Sequence, residues 1–167
     1  MKLRKTPKMN NPKGKSQSDI DCQKIVAHAL AHGHTARLAT KDEDEKLKFD
    51  YIIDGHKVDL KRFGSMYCEI DKLQNPRNEA EFILMIVGGD TRNAYKFRKD
   101  ALVRICAKYI KPLPSLDFDE TPILNECRNE NVKYRIGPKS GDLLADFTLD
   151  MMQKDDYEIV DLSKILS

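Results

Sequence analysis

The chain has 167 residues, with 29 Lys and Arg against 27 Asp and Glu, a formal net charge of +2 at pH 7 and 34% charged residues. That length fills one ordinary hydrophobic core, so a single domain is expected rather than two. No run approaches the about 18 consecutive apolar residues of a membrane span, and no apolar stretch follows the basic Lys2, Arg4, Lys5 and Lys8 to make a secretory signal; a soluble protein acting in the cytoplasm, with no membrane partner, is the expectation.

Two further features divide the chain. Cys22, Cys68, Cys106 and Cys127 stand far apart with no CxxC pair, which argues against a zinc ribbon or a small disulfide scaffold and for free thiols in a reducing compartment. Residues 1–116 carry 23 Lys and Arg against 15 acids (+8), and residues 117–167 carry 6 against 12 (−6). A basic body with an acidic C-terminal third is thus expected, the latter as an extension of the same domain.

Residues 1–17, with six basic residues, two prolines and no acid, read as a disordered basic arm. Ser18 ahead of Asp19 reads as an N-cap, and Ile20, Ile25, Val26, Ala29 and Leu30 recur at helical spacing until Gly33, so the first helix is expected over about 19–32. Thr35–Thr40 reads as a short strand and Asp42–Glu45 as an acidic turn. A second strand, Leu47–Ile53, and a third, His56–Phe63, flank Asp54-Gly55, a strong hairpin-turn signal.

Residues 66–75 read as a short helix closed by Asn75-Pro76. The apolar run Phe82–Val87, ended by Gly88-Gly89, suits a strand buried on both faces with a parallel neighbour. A long helix is expected over about 91–110, stopped by Pro112 and Pro114. Beyond it the pattern suggests a turn at Gly137-Pro138, a helix near 141–153 and a terminal strand at Tyr157–Leu162. Together these elements make an α/β domain with a central mixed sheet flanked by helices.

Counting outward from the two-residue turn pairs Ile53 with His56, Ile52 with Lys57, Tyr51 with Val58 and Asp50 with Asp59. One face then carries Phe49, Tyr51, Ile53, Val58 and Leu60, a core face; the other carries Asp50, Ile52, Asp59 and Lys61. Directly opposed residues have Cβ atoms about 4.5–5.5 Å apart, where two carboxylates repel. A divalent cation would compensate, since Mg2+ and Mn2+ take carboxylate oxygens and keep waters that a phosphate can replace. Lys61 points the same way and could orient a water or offset charge developing on phosphorus. The plain alternative is an amphipathic hairpin with two surface aspartates.

The spacing of Asp50, eight residues, then Asp59-Leu60-Lys61 resembles the signature of the PD-(D/E)XK nuclease superfamily, and the order of expected elements over 19–110 is similar to its restriction-endonuclease-like core. Within it, the stretch DYIIDGHKVDLK is most similar to toxin domains of bacterial contact-dependent inhibition systems, many of which cleave tRNA. The resemblance implies a metal-dependent endonuclease acting on RNA, tRNA included, or on DNA. Asp50 and Asp59 would be ligands to Mg2+ or Mn2+, Leu60 would lend its carbonyl, and Lys61 would serve the water. Phe49 stands where the family has Pro, and the first-helix glutamate has no clear equivalent, leaving Asp21 or Gln23 as candidates. A cognate immunity protein is a partner the resemblance suggests; a homo-oligomer stays open.

Other features are weighed beside it. His28 and His32 at i, i+4, with His34 beyond Gly33, have metal-ligand spacing but lack the Glu of HExxH. Lys96, Arg98, Lys99, Arg104 and Lys108, on the helix expected from 93 to 110, form either a phosphate-tracking face or a solvated one. Gly88-Gly89-Asp90 reads as a plain turn with Asp90 as cap. A non-catalytic nucleic-acid-binding module that uses the basic arm and this helix is the alternative to the enzyme.

Overall fold

A computed structural model describes residues 16–109, 133–136 and 142–167. Residues 1–15 of the expected basic arm, the Gly137-Pro138 turn and the Lys108 side chain lie outside the described residues, while Ser16 and Gln17, counted with the arm, belong to the start of the first helix. The first helix, α1 (Gln17–Ala31), opens two residues earlier than expected, because Ser16 rather than Ser18 caps it. The Ser16 hydroxyl accepts from the Asp19 N–H, and the Asp19 carboxylate accepts from the Ser16 N–H, satisfying two of the otherwise orphaned donors of the first turn.

Strand β1 (Ala36–Leu38) leads into a π-helical turn at Glu43–Leu47, closed by Lys48 in the left-handed conformation at φ 65°. Of the expected second strand Leu47 belongs to this turn and residues 48–50 lie between the two elements, so β2 is only Tyr51–Ile53, and β3 is His56–Phe63 as expected. Between them Asp54 and Gly55 both have positive φ (50° and 84°), the requirement of a two-residue turn whose twist matches the strands. The Asp54 carboxylate accepts from the Thr35 N–H and bonds His34, tying the turn to the start of β1.

Residues 66–75 divide into a strand, β4 (Tyr67–Glu69), and a helix, α2 (Ile70–Gln74). Strand β5 (Phe82–Val87) runs parallel to β3, and its burial is two-sided: Ile83 and Met85 point to one core cluster, Leu84 and Ile86 to the other. The expected long helix is the largest departure. Gly88 and Gly89, at φ 64° and 77°, turn the chain back at once, with Asp90 accepting from the Arg92 N–H. Residues Ala94–Arg98 then form β6, antiparallel to β5, and only Lys99–Tyr109 is helical, as α3. Ala94 and Phe97, fully buried against the sheet, have helical spacing in sequence, so the pattern alone did not separate strand from helix.

The described part of the acidic third also holds strands where a helix was expected. Strand β7 (Lys133–Ile136) and β8 (Leu143–Asp146) pair with β4 in a second sheet of order β4-β8-β7. The expected helix over 141–153 is thus replaced by β8 and a short 3-10 turn at Leu149–Met151. Strand β9 (Tyr157–Val160) joins the edge of the main sheet beside β6, and a last turn of helix, α4 (Ser163–Leu166), packs on α1.

The result is α/β with a mixed six-stranded sheet, β1-β2-β3-β5-β6-β9, covered by α1 on one face. The other face packs on α2, α3 and the second sheet, with Phe97, Leu102, Leu143 and Ile70 almost wholly excluded from solvent. No helix among the described residues is long and apolar enough to cross a membrane.

Candidate functional site

The hairpin pairs as counted from its turn, Ile53 with His56, Ile52 with Lys57 and Tyr51 with Val58, and departs from the count only at the next step. Tyr51 pairs with Val58, yet the Asp50 N–H also donates to the Val58 carbonyl at 2.8 Å, so two residues of one strand face one of the other: a β-bulge. Asp50 therefore does not stand opposite Asp59 in the ladder. The bulge also resets the alternation, sending Phe49 to the α2 and α3 side while Tyr51, Val58 and Leu60 pack under α1, so the expected single core face is split.

The bulge nevertheless delivers the two carboxyls to each other. Asp50 Oδ2 accepts from the Leu60 N–H at 2.7 Å, and the Asp50 carboxyl lies in hydrogen-bonding reach of Asp59. Asp59 points to the α2 side of the sheet, and its side chain is 13% exposed. Burial, then the charge and hydrogen bond of Asp59, push Asp50 up to about 7, against the opposing pull of the Leu60 N–H and Lys61. Burial likewise raises Asp59, with Lys61 opposing. Each carboxyl thus disfavours ionisation of the other, as like charges in one low-dielectric place must. Leu60 lies on β3 beyond its last pair with β2, opposite Leu84 of β5, and it is its N–H that meets Asp50.

Lys61 closes the arrangement from the other side. Its ammonium is 3.4 Å from Asp59 Oδ2 and 3.3 Å from Glu69 Oε1, and Lys72 bonds Glu69 Oε2 at 2.9 Å. Burial works against the charged lysine, but Asp59, Glu69 and Asp50 outweigh it and hold its pKa above the usual value; it stays a cation. Burial works against ionised Glu69 too, and Lys61 and Lys72 hold it below the ordinary range. A cavity of about 20 Å³, room for a water molecule, lies among Asp59, Lys61, Glu69 and Lys72.

On the Asp50 side an open pocket of about 230 Å³ is lined by Asp19, Cys22, Gln23, Asp44 and Asp50. Burial and the neighbouring Asp50 push Asp44 up to about 6. Burial, followed by Asp50 and Asp19, raises Cys22 far above the usual thiol range, which keeps it protonated and a poor nucleophile. Asp21 does not reach this pocket. It is 1% exposed and spent on Arg62 Nε (2.5 Å) and Gln17 (2.9 Å), an ion pair that pins α1 to β3. Gln23 does line the pocket, and the first-helix acid there is Asp19.

Asp44 and Glu69 were not singled out in the sequence. Asp44 sits in an acidic turn indistinguishable from a solvated one, and Glu69 acts across from β4, which the sequence did not mark as a strand.

The basic residues do not share one helix. Lys96 and Arg98 lie on β6, Lys99 and Arg104 on α3. Each has a partner within the chain, Arg98 with Asp100, Arg104 with Asp156, Lys99 with the Asn78 carbonyl and Lys96 over the Phe82 ring, while Arg98 and Arg104 stay exposed. His28, His32, His34 and His56 line a groove on the α1 face, where His34 bonds Asp54 and His56 bonds Glu81. Among the described residues no three His, Cys, Asp or Glu side chains converge closely enough to hold a metal ion without further ligands. No protein-family model and no curated protein matches the chain.

Proposed function

We propose that the chain is a metal-dependent endonuclease of the PD-(D/E)XK kind that hydrolyses phosphodiester bonds in RNA, tRNA among them, or in DNA, as toxin domains of bacterial contact-dependent inhibition systems do. The observation that carries this reading is the meeting of Asp50, Asp59 and the Lys61 cation at the bulged end of the β2-β3 hairpin. The order α1, β1, β2, β3, β4, α2, β5 follows the expected one except for the short β4 interposed between β3 and α2.

The residues fit a hard divalent ion. Asp50, Asp59 and the Leu60 carbonyl would hold Mg2+ or Mn2+, and so small a donor set suits ions that retain several waters. When bound, such an ion supplies Lewis acidity and a more acidic water. It also relieves the repulsion between two carboxyls held within hydrogen-bonding reach of each other.

Hydrolysis joins a water oxygen to phosphorus and breaks the P–O ester bond in line with it. Lys61, held protonated by its carboxylates, is no base; its charge offsets the negative charge that builds on the phosphoryl oxygens. Asp44, near the edge of neutrality at about 6, is suited to accept the proton of the attacking water, and the ester oxygen leaves with a proton from solvent.

The test is cleavage of plasmid DNA and total tRNA with Mg2+ or Mn2+, with EDTA, and with Asp59→Ala. Metal-dependent cleavage lost in the variant is the expected result. Absence of cleavage of both substrates by the unaltered chain in either metal refutes the reading, and retention of nucleic-acid binding in that case points to a non-catalytic binding module.

A further inference from the structure

The smaller sheet has no evident task in a site built from the main one, except that β4 ends at Glu69 and carries that carboxylate to Lys61. We propose that Glu69 is a positioning residue that draws the Lys61 ammonium partly off Asp59, so that Asp59 is left able to take a divalent cation. This rests on the metal-centre reading above and deepens it.

The charges alternate along a chain of contacts. Lys72 meets Glu69 Oε2 at 2.9 Å, Glu69 Oε1 meets Lys61 at 3.3 Å, and Lys61 meets Asp59 Oδ2 at 3.4 Å. The ammonium is thus shared nearly equally between two carboxylates. A lysine beside a metal-ligand carboxylate is a competitor as well as a helper, because the ammonium and the incoming ion seek the same oxygens.

Without Glu69 the partly buried ammonium would have only the aspartates to neutralise it, and an arriving ion would have to displace it from Asp59 into a place with no counter-charge, which is costly where water is scarce. With Glu69 present, the ammonium keeps a partner when Asp59 turns to the ion. Lys72 fixes which oxygen of Glu69 faces Lys61. Glu69 itself is held in place by strand pairing, Cys68 with Ala145 and Glu69 with Leu144, so the second sheet serves as a rigid mount.

The experiment is Mn2+ binding followed by electron paramagnetic resonance on the full chain, for the unaltered protein, E69Q, K61M and the double variant K61M/E69Q. E69Q is expected to weaken Mn2+ binding about tenfold when Lys61 is present, and by no more than about threefold in the K61M background, the excess measuring the coupling through Lys61. K61M alone is expected to bind at least as tightly as the unaltered chain. Equal losses in both backgrounds would mean that Glu69 acts through its own charge or through the fold, and would overturn the proposal, as would no loss in E69Q. Should E69Q not fold, the same comparison with E69D, which withdraws the carboxylate by one methylene, is expected to give a smaller loss of the same Lys61-dependent kind. Failure of the unaltered chain to bind Mn2+, or equal binding by D59N, would overturn the metal centre itself, a result distinct from the outcomes that overturn Glu69 alone.

Discussion

Asp50→Asn offers a direct measure of how much folding free energy the site costs when it holds no metal. Asp50 is raised from 3.8 to about 7 in the folded chain. A carboxyl that binds its proton more tightly when folded stabilises the fold at pH below 3.8, and that contribution is lost as pH rises from 3.8 through about 7. At about 1.4 kcal/mol per pH unit the whole loss is about 4 kcal/mol, of which about 3 falls between pH 5 and pH 8. Lys61 and water entering the 230 Å³ pocket make this an upper figure. Asparagine is nearly isosteric, keeps an oxygen for the Leu60 N–H and cannot ionise. Urea denaturation in EDTA at pH 5 and pH 8 is the assay: the unaltered chain is expected to lose about 2–3 kcal/mol more than the variant over that range. Added Mg2+ is expected to recover much of the loss in the unaltered chain at pH 8 and little in the variant. Parallel pH profiles for the two proteins would refute the claim that burial and Asp59 raise Asp50.

Four other outcomes follow from the packing. Ser16→Ala is expected to cost about 1 kcal/mol in urea melts and Ser18→Ala much less, since only Ser16 caps α1; the reverse order would place the helix start wrongly. Asp21→Ala leaves Arg62 without its buried partner and is expected to destabilise by about 3–5 kcal/mol, whereas a loss under about 1 kcal/mol would mean that the pair is dispensable. Gly55→Ala puts a Cβ at φ 84°, where nothing crowds it but the backbone itself is strained; a cost of about 1 kcal/mol is expected by thermal denaturation, and an unchanged midpoint would argue against the turn. Phe97→Ala empties a fully buried site where the main sheet meets Phe147 and Tyr157, with an expected loss of about 3–5 kcal/mol on urea titration. A loss near that of a surface substitution would contradict Phe97's assignment to the core of β6.

Much of the fold's first half was legible because its signals are local. Asp54-Gly55 demands positive φ at two successive residues, and Phe82–Val87 is too short and too apolar to be anything but a strand covered on both sides. The misreadings share a cause. Residues 94–98 and 143–146 carry apolar spacing that suits helix and strand alike, and what decided them was pairing with β5 in one case and with β4 in the other. Those are contacts between residues distant in the chain, which no local period records.

The candidate site divides the same way. Asp50, Asp59 and Lys61 could be named from the sequence because the turn brings their strands together and the residue types declare their chemistry. Their manner of meeting could not, for a bulge adds one residue to a ladder without any residue type that announces it. Nor could Asp21 be told from Asp19 on α1: one is spent on Arg62 and the other faces Asp50's pocket, a difference of helix rotation set by packing. Residue chemistry and tight turns were thus determined by the sequence alone, since both act within a few residues. Which carboxylates converge, and that Glu69 of a second sheet reaches Lys61, was decided only when the two sheets packed, because side-chain reach is a few ångströms and the partners come from distant parts of the chain.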